Sequence, residues 1–323
     1  MKAIRVHETG GPEVLRWEDV TVGDPGPGEA RVRHTAIGLN FVEVYYRTGL
    51  YKAPSLPFIP GSEAAGVVEA VGSGVTEVRP GMRVAYGTAP MGAYAEARLV
   101  PADRLVPIPD GIDDRTAAAI MLKGMTAHYL LHRTVAIEDG DTILFHAAAG
   151  GVGLIACQWA RALGATVIGT VGSDVKAELA RAHGCDHVIV YTRERFVDRV
   201  KQITGGAGVR AAYDSVGRDT YVGSLECLQA LGMLVLFGQS SGPVPPLDLA
   251  LLSRASLFVT RPSLFHYVAA RADLLASAAA LFEAVRSGAV KVEVRQTYAL
   301  KDAAQAHRDL EARRTTGSTV LLP

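Results

Sequence analysis

The chain has 323 residues, 49% hydrophobic and 20% charged, which suits a folded globule of two domains and excludes a disordered polymer. Lys+Arg and Asp+Glu balance at 33 each, so no global field favours a polyanion or an anionic membrane surface. Met1-Lys2-Ala3-Ile4-Arg5-Val6 lacks the apolar core of a signal peptide, and no run approaches the roughly 18 to 20 apolar residues that span a bilayer.

From Met1 to about Arg115 the pattern is short and β-like. Ala30-Arg31-Val32-Arg33-His34-Thr35 alternates as a half-buried strand does, and Ala64 to Val71 and Arg83 to Tyr86 are further strands. Turn signals at Pro25-Gly26-Pro27-Gly28, Gly72-Ser73-Gly74 and Pro80-Gly81 separate them, which suggests a small barrel or sandwich. Near Thr116 the texture changes to alternating strands and helices. Strands are expected at Thr142–His146, Thr166–Val171, His187–Tyr191, Val209–Asp214, Met233–Phe237 and Leu257–Thr260. Helices are expected between them at Val152–Leu163, Asp174–His183, Arg193–Thr204 and Thr220–Leu231. Strand runs this apolar imply burial on both faces, as in a parallel sheet covered by helices. A long helix from about Tyr267 to Ser287, another from Lys301 to Arg314 and a last strand, Thr319–Leu322, are placed back against the first domain.

The strongest local signal is His146-Ala147-Ala148-Ala149-Gly150-Gly151-Val152-Gly153, which keeps the spacing of the dinucleotide fingerprint with Ala148 in place of its first glycine. Gly150 would let backbone amides approach a pyrophosphate, and Gly153 would let the helix pack on the sheet. A Gly-rich turn alone also suits any tight strand-to-helix connection; the flanking strand, the helix and the later alternating units favour the nucleotide. The next strand ends at Gly172-Ser173-Asp174-Val175-Lys176. Space at Gly172, a hydroxyl on Ser173 and the Lys176 charge fit a 2′-phosphate better than a bare diol, which points to NADPH. Asp174 is the counter-indication: it could accept from ribose hydroxyls, or simply serve the start of the next helix. Later strand ends that should face the cofactor are Tyr191, Asp214-Ser215-Val216-Gly217 and Phe237-Gly238-Gln239-Ser240.

Three cysteines, Cys157, Cys185 and Cys227, and nine scattered histidines offer no ligand spacing. His34, His128 and His132 read as packed or surface residues. Widely spaced, odd-numbered cysteines also exclude a disulfide framework, and the cytoplasm is the expected location. Polarisation of a carbonyl would then fall to hydrogen bonds, cationic side chains or the cofactor.

In this order the parts resemble the medium-chain dehydrogenase/reductase superfamily, and more narrowly its zinc-free quinone oxidoreductases, the zeta-crystallin-like branch. The resemblance runs nearly end to end through His7–Leu15, Gly38–Phe41, Tyr45, Arg47–Tyr51, Lys123–Ala127, Tyr213–Gly217, Phe237–Gly242 and Thr260–Ser263. Zinc alcohol dehydrogenases of the superfamily carry Gly-His-Glu where this chain has Gly61-Ser62-Glu63, and Ser62 cannot replace the histidine as a nitrogen ligand.

The resemblance implies an α/β fold: a doubly wound parallel Rossmann sheet plus a β-rich GroES-like barrel domain. Its expected boundaries are 1–122 for the GroES-like domain, 123–262 for the NADPH-binding domain and 263–323 for the return to the first. It implies NADPH contacts from Asn40, Lys123, Thr126, Ala149, Gly150, Gly151, Val152, Gly172, Ser173, Lys176, Tyr191, Ser215, Phe237, Gly238, Gln239, Ser240 and Arg313. Arg313 could bind the 2′-phosphate bidentately, and adjacent Arg314 competes for that role. The nicotinamide is expected to reach a cleft between the domains. Tyr45, Tyr51 and Arg261 are candidates for bonding the substrate oxygen, although both tyrosines equally suit a packed wall. The expected reaction is NADPH-dependent reduction of a quinone. Reduction of an enal, enone or enoyl thioester is the alternative, and a non-enzymatic NADPH- or RNA-binding crystallin-like role is the remoter one. Partners are a small quinone or conjugated carbonyl and a second copy of the chain through the apolar strand Ser256–Thr260. Neither a membrane nor a nucleic acid is expected.

Overall fold

The computed structural model describes residues 1–88 and 90–323. They form two compact units, one of Met1–Met125, Val268–Phe282 and Val292–Pro323, the other of Thr126–Tyr267 and Glu283–Lys291. The first unit opens with an antiparallel pair, β1 (Lys2–Val6) and β2 (Leu15–Asp19). There follow β3 (Glu29–Leu39), α1 (Phe41–Arg47), β4 (Ala64–Val71), β5 (Arg83–Tyr86), β6 (Ala97–Pro101), β7 (Val106–Pro107) and α2 (Asp114–Tyr129). Along β3, Ala30, Val32, His34 and Ala36 are buried in turn, the period of two that the sequence shows. Ala30 and Val32 pack with Ile4, Val6, Ile37, Val68, Val84, Tyr86 and Leu105 in one core. Each fully buried large apolar side chain contributes about 1.5–3 kcal/mol.

The second unit continues with β8 (Thr142–His146), α3 (Gly151–Ala162), β9 (Thr166–Val171), α4 (Asp174–Ala182) and β10 (His187–Val190). Then come α5 (Phe196–Ile203), β11 (Val209–Asp214), α6 (Tyr221–Glu226), β12 (Leu228–Leu236), α7 (Ala250–Ser253), β13 (Phe258–Thr260) and α8 (Leu264–Tyr267). The strands form a parallel sheet in the order β10-β9-β8-β11-β12-β13. Near-continuous burial of β8, β9 and β11 reflects cover on both faces. The order reverses between β8 and β11, so a ligand crevice belongs outside the carboxyl ends of those two strands.

After α9 (Arg271–Arg286), the elements β14 (Val294–Ala299), α10 (Ala303–Glu311) and β15 (Ser318–Leu322) complete the first unit. There β15 lies between β14 and β3, in a sheet ordered β14-β15-β3-β4-β5-β7 with β6 also on β3. No helix among the described residues is long and apolar enough to cross a membrane.

Three expected helices are corrected. Thr220–Leu231 is helical only as α6, because 228–236 is a strand: Leu228 pairs with Val209 of β11, Leu231 at φ 60° leaves helical geometry, and Met233 onward pairs with β11 and β13. The helix expected over 267–287 is two, α8 and α9; the Arg104 guanidinium takes the carbonyls of Val268 and Ala269 at 3.2 and 3.1 Å, which a continuous helix would use internally. The helix expected over 301–314 is a 3-10 turn, Leu300–Asp302, followed by α10, and Arg313 at φ 59° closes it.

Candidate active site

In the second unit, the turn from β8 to α3 holds Ala147 in the left-handed region at φ 54°, a conformation that costs a non-glycine residue energy and clusters at functional sites. Ala148 stands where the fingerprint has glycine, and Gly169 on β9 makes room for it: a Cβ at Gly169 would lie 2.8 Å from that of Ala148. Gly150 caps α3, whose first turn holds no acidic residue, so the positive end of its dipole is unopposed there. Two glycines have different reasons to be there. A Cβ at Gly153 would meet the carbonyl oxygens of Ala147 and Ala148 at 2.5 and 2.6 Å, whereas one at Gly150 would meet only the Ala147 carbonyl, at 3.1 Å. The chain's own packing demands Gly153 and asks little of Gly150. Ala149, Gly151 and Val152 complete the turn and the first residues of the helix.

At the end of β9, Ser173 is the N-cap of α4, its Oγ accepting the Lys176 amide at 3.4 Å. Asp174 is the first helical residue and pairs with Arg193. Tyr191 follows β10 and donates its amide to the Val171 carbonyl at 3.1 Å.

The loop after β11 is organised by Asp214, whose carboxylate is fully buried. Oδ1 accepts the amides of Val216 (2.8 Å) and Gly217 (2.9 Å), Oδ2 accepts Ser224 Oγ (3.0 Å), and the Thr220 hydroxyl reaches both oxygens. Ser224 Oγ is also 2.9 Å from His146 Nε2, and His146 Nδ1 is 2.8 Å from Thr170 Oγ1. With the Ser224 proton given to Asp214, the chain closes on a neutral imidazole that donates from Nε2 and accepts at Nδ1. Burial holds the His146 pKa below its ordinary value, against the pull of Asp214. This network fixes the loop that presents Ser215. The Ser240 amide donates to the Ser215 carbonyl at 3.1 Å, which ties the Phe237–Ser240 loop beside it. Phe237 tilts on Phe145 at 5.7 Å. Gln239 is buried, with its Oε1 accepting Arg261 Nη2 at 2.7 Å, so Arg261 is oriented from the same loop. Thr126 on α2 is buried, and His128 and His132 pack on Trp159 at 5.7 and 5.3 Å.

In the first unit, Asn40 caps α1. Its Nδ2 donates to Glu63 Oε2 at 2.8 Å, and the same carboxylate accepts Lys123 Nζ at 3.0 Å and the Leu122 amide at 2.7 Å. Glu43 accepts the amides of Asn40 (2.8 Å) and Ser62 (3.0 Å). Both carboxylates are fully buried. Burial raises the Glu43 pKa to about 7, against the attraction of Lys123 and its hydrogen bonds. Tyr45 is nearly buried, with its ring 5.4 Å from Phe41 and 5.0 Å from Tyr51, in a wall that Tyr46 extends. His34 is held by the Ala95 carbonyl (2.7 Å) and the Tyr86 hydroxyl (2.8 Å), and burial lowers its pKa to about 4. Arg313 lies at the exposed end of α10, while Arg314 is engaged by Asp309 at 3.2 Å.

Two family models match: the alcohol dehydrogenase GroES-like domain over 26–110 and the zinc-binding dehydrogenase over 151–283. A quinone oxidoreductase of Pseudomonas aeruginosa is 54% identical over 100% of this chain and 99% of its own length. A 2-haloacrylate reductase of a Burkholderia species is 47% identical over 98% of each chain. The crystal structure of Escherichia coli quinone oxidoreductase complexed with NADPH superposes with a TM-score of 0.98, at 49% identity and 100% coverage of both chains. The chain belongs to the quinone oxidoreductases of the medium-chain dehydrogenase/reductase superfamily.

One matching description mentions zinc, yet this quinone oxidoreductase family member carries a different donor set. Ser62 is buried where its zinc-dependent cousins have histidine, and the neighbouring Glu63 is saturated by Asn40, Leu122 and Lys123. Among the described residues no His, Cys, Asp or Glu cluster could hold a metal ion. Sequence reasoning did not single out Glu43 or Arg193, and treated His146, Asp214 and Glu63 only as members of motifs. A sequence does not reveal that an acid is buried, but the long-range partners of Glu63 and Asp214 do.

Proposed function

We propose that the chain is an NADPH-dependent, zinc-independent quinone reductase of the cytoplasm. The observation that carries this reading is the freedom at Gly150, where a side chain would meet little of the protein itself at the mouth of an acid-free helix N-terminus. A pyrophosphate is the ligand such a mouth suits. In the second unit, the amides of Ala149, Gly150, Gly151 and Val152 are assigned to the diphosphate, and Gly172, Ser173, Lys176 and Tyr191 to the adenosine end. Thr126, Ser215, Phe237, Gly238, Gln239 and Ser240 are assigned to the remainder of the nucleotide, and Arg261 to the substrate oxygen. In the first unit, Asn40, Lys123 and Arg313 are assigned to the cofactor and Tyr45 and Tyr51 to the substrate.

When bound, NADPH supplies a hydride. The protein's part is to hold donor and acceptor within about 3–3.5 Å and to offer hydrogen bonds to the oxygen on which charge develops. Glu63 keeps the Lys123 ammonium and the Asn40 amide in fixed positions. A quinone accepts electrons readily, so no dedicated acid is required, and Tyr45 and Tyr51 are the candidates to relay a proton. The 47% identity to a 2-haloacrylate reductase favours one second reading, reduction of an activated carbon–carbon double bond by the same cofactor. NADPH oxidation against a panel of benzoquinones, naphthoquinones, enals and haloacrylates decides: quinones should lead in kcat/KM, and turnover of unsaturated acids alone would replace this reading with the second.

The proposal includes a homodimer. Among the described residues β13 pairs only with β12, and Phe258 on it is about half exposed, leaving a sheet edge that suits a second copy. Sedimentation should give twice the chain mass; a monomer at micromolar concentration would refute it.

A further inference from the structure

We propose that Arg193 is a specificity residue, which lets this site take a 2′-phosphate by masking the carboxylate of Asp174. The inference rests on the NADPH reading above and says how the selectivity is built. Asp174 opens α4 three residues after β9 ends at Val171, about 20 residues past the glycine turn, near where diol-binding sites keep an acid for the ribose hydroxyls. Left bare, it would repel a phosphate monoester that carries about −1.5 to −2 charges at neutral pH. It is not bare, because Arg193 Nη2 donates to Asp174 Oδ1.

Arg193 is brought there by the turn after β10, which is fastened to the end of β9. The Tyr191 amide donates to the Val171 carbonyl at 3.1 Å and the Thr192 hydroxyl to the Gly172 carbonyl at 3.4 Å. A Cβ at Gly172 would lie 2.8 Å from the Tyr191 hydroxyl, so the two segments form one surface. Ser173 Oγ spends a lone pair on the Lys176 amide and keeps its proton to donate. Lys176 and Arg193 then oppose one carboxylate; without Arg193 the charges would cancel. The two side chains are 61% and 69% exposed, and an ion pair so open to water adds little to stability. Loss of the pair should therefore be read in nucleotide binding and hardly in melting temperature.

The test is direct binding, read as intrinsic fluorescence quenching by NADPH and NADH, with 2′,5′-ADP and 5′-AMP as competitors. Wild type, Arg193→Ala, Asp174→Ala and the double variant are compared. Arg193→Ala should weaken NADPH and 2′,5′-ADP by about tenfold or more and leave NADH and 5′-AMP within about twofold. Asp174→Ala should not weaken NADPH, and the double variant should regain most of the NADPH affinity, since no bare carboxylate remains. An unchanged NADPH-to-NADH ratio in Arg193→Ala overturns the proposal. So does a double variant as weak toward NADPH as Arg193→Ala, which would mean direct contact rather than masking. A wild-type protein that binds both nucleotides alike removes the cofactor reading itself, and this inference with it.

Discussion

The two glycines of the nucleotide turn should respond to alanine in opposite ways. At Gly153 the new methyl would lie 2.5–2.6 Å from two backbone carbonyl oxygens, well inside ordinary contact, so α3 must move away from β8. Overpacking of this kind costs about 1–3 kcal/mol, and alanine returns up to about 1 kcal/mol in helix propensity. With about 1 kcal/mol returned, the net loss is about 0–2 kcal/mol, or up to roughly 8 °C in Tm for a cooperative unit of this size. At Gly150 the methyl meets one carbonyl at 3.1 Å, and φ −82°, ψ 176° is extended backbone that alanine adopts freely. Only the weaker N-cap preference is lost there, about 1 kcal/mol or less. That methyl would instead stand in the path of the diphosphate, so NADPH should bind about tenfold more weakly or worse. Calorimetry and fluorescence titration of both variants separate the effects. A Gly150→Ala protein that binds NADPH as wild type does, or that melts below Gly153→Ala, would refute the reasoning.

Asp214→Ala leaves the Val216 and Gly217 amides without their acceptor and should cost about 3–5 kcal/mol, while Asp214→Asn, which keeps one oxygen, should cost about 1–3 kcal/mol. Chemical denaturation measures both, and equal losses would contradict the network. Glu43 holds its proton to about pH 7 in the fold against 4.5 for an ordinary glutamate, so between those values the unfolded chain ionises first and stability falls as pH rises. The Tm difference between Glu43→Gln and wild type should therefore shift in favour of the variant from pH 5 to pH 8; a difference independent of pH would argue against the assignment. Tyr45→Phe or Tyr51→Phe should slow quinone turnover, and unchanged kinetics in both would reduce the pair to wall residues.

Much of the second unit was legible because parallel strands buried on both faces are continuous apolar runs with glycine at their ends. Thr142–His146, Thr166–Val171 and Val209–Asp214 have the expected bounds. What failed was settled at long range. Leu228 to Leu236 has helix-forming residues and becomes a strand because β11 pairs with Leu228 and, together with β13, with the stretch from Met233. The break before α9 is made by Arg104, more than 160 residues away in sequence. The site divides in the same way. The glycine turn and the Ser173-Asp174-Val175-Lys176 run announce themselves locally, whereas Arg193 on Asp174 joins residues 19 apart and Lys123 on Glu63 joins residues 60 apart. Of the packed and surface readings given to His34 and the His128/His132 pair, the packed one holds.

The central claim is that the amides opening α3 grip a dinucleotide diphosphate. A crystal structure of the protein with NADPH measures this directly. The account predicts diphosphate oxygens within hydrogen-bonding distance of the amides of Gly150, Gly151 or Val152, with the 2′-phosphate beside Ser173 and Lys176. A diphosphate bound away from the start of α3, or an adenosine end on another face of the sheet, would contradict it.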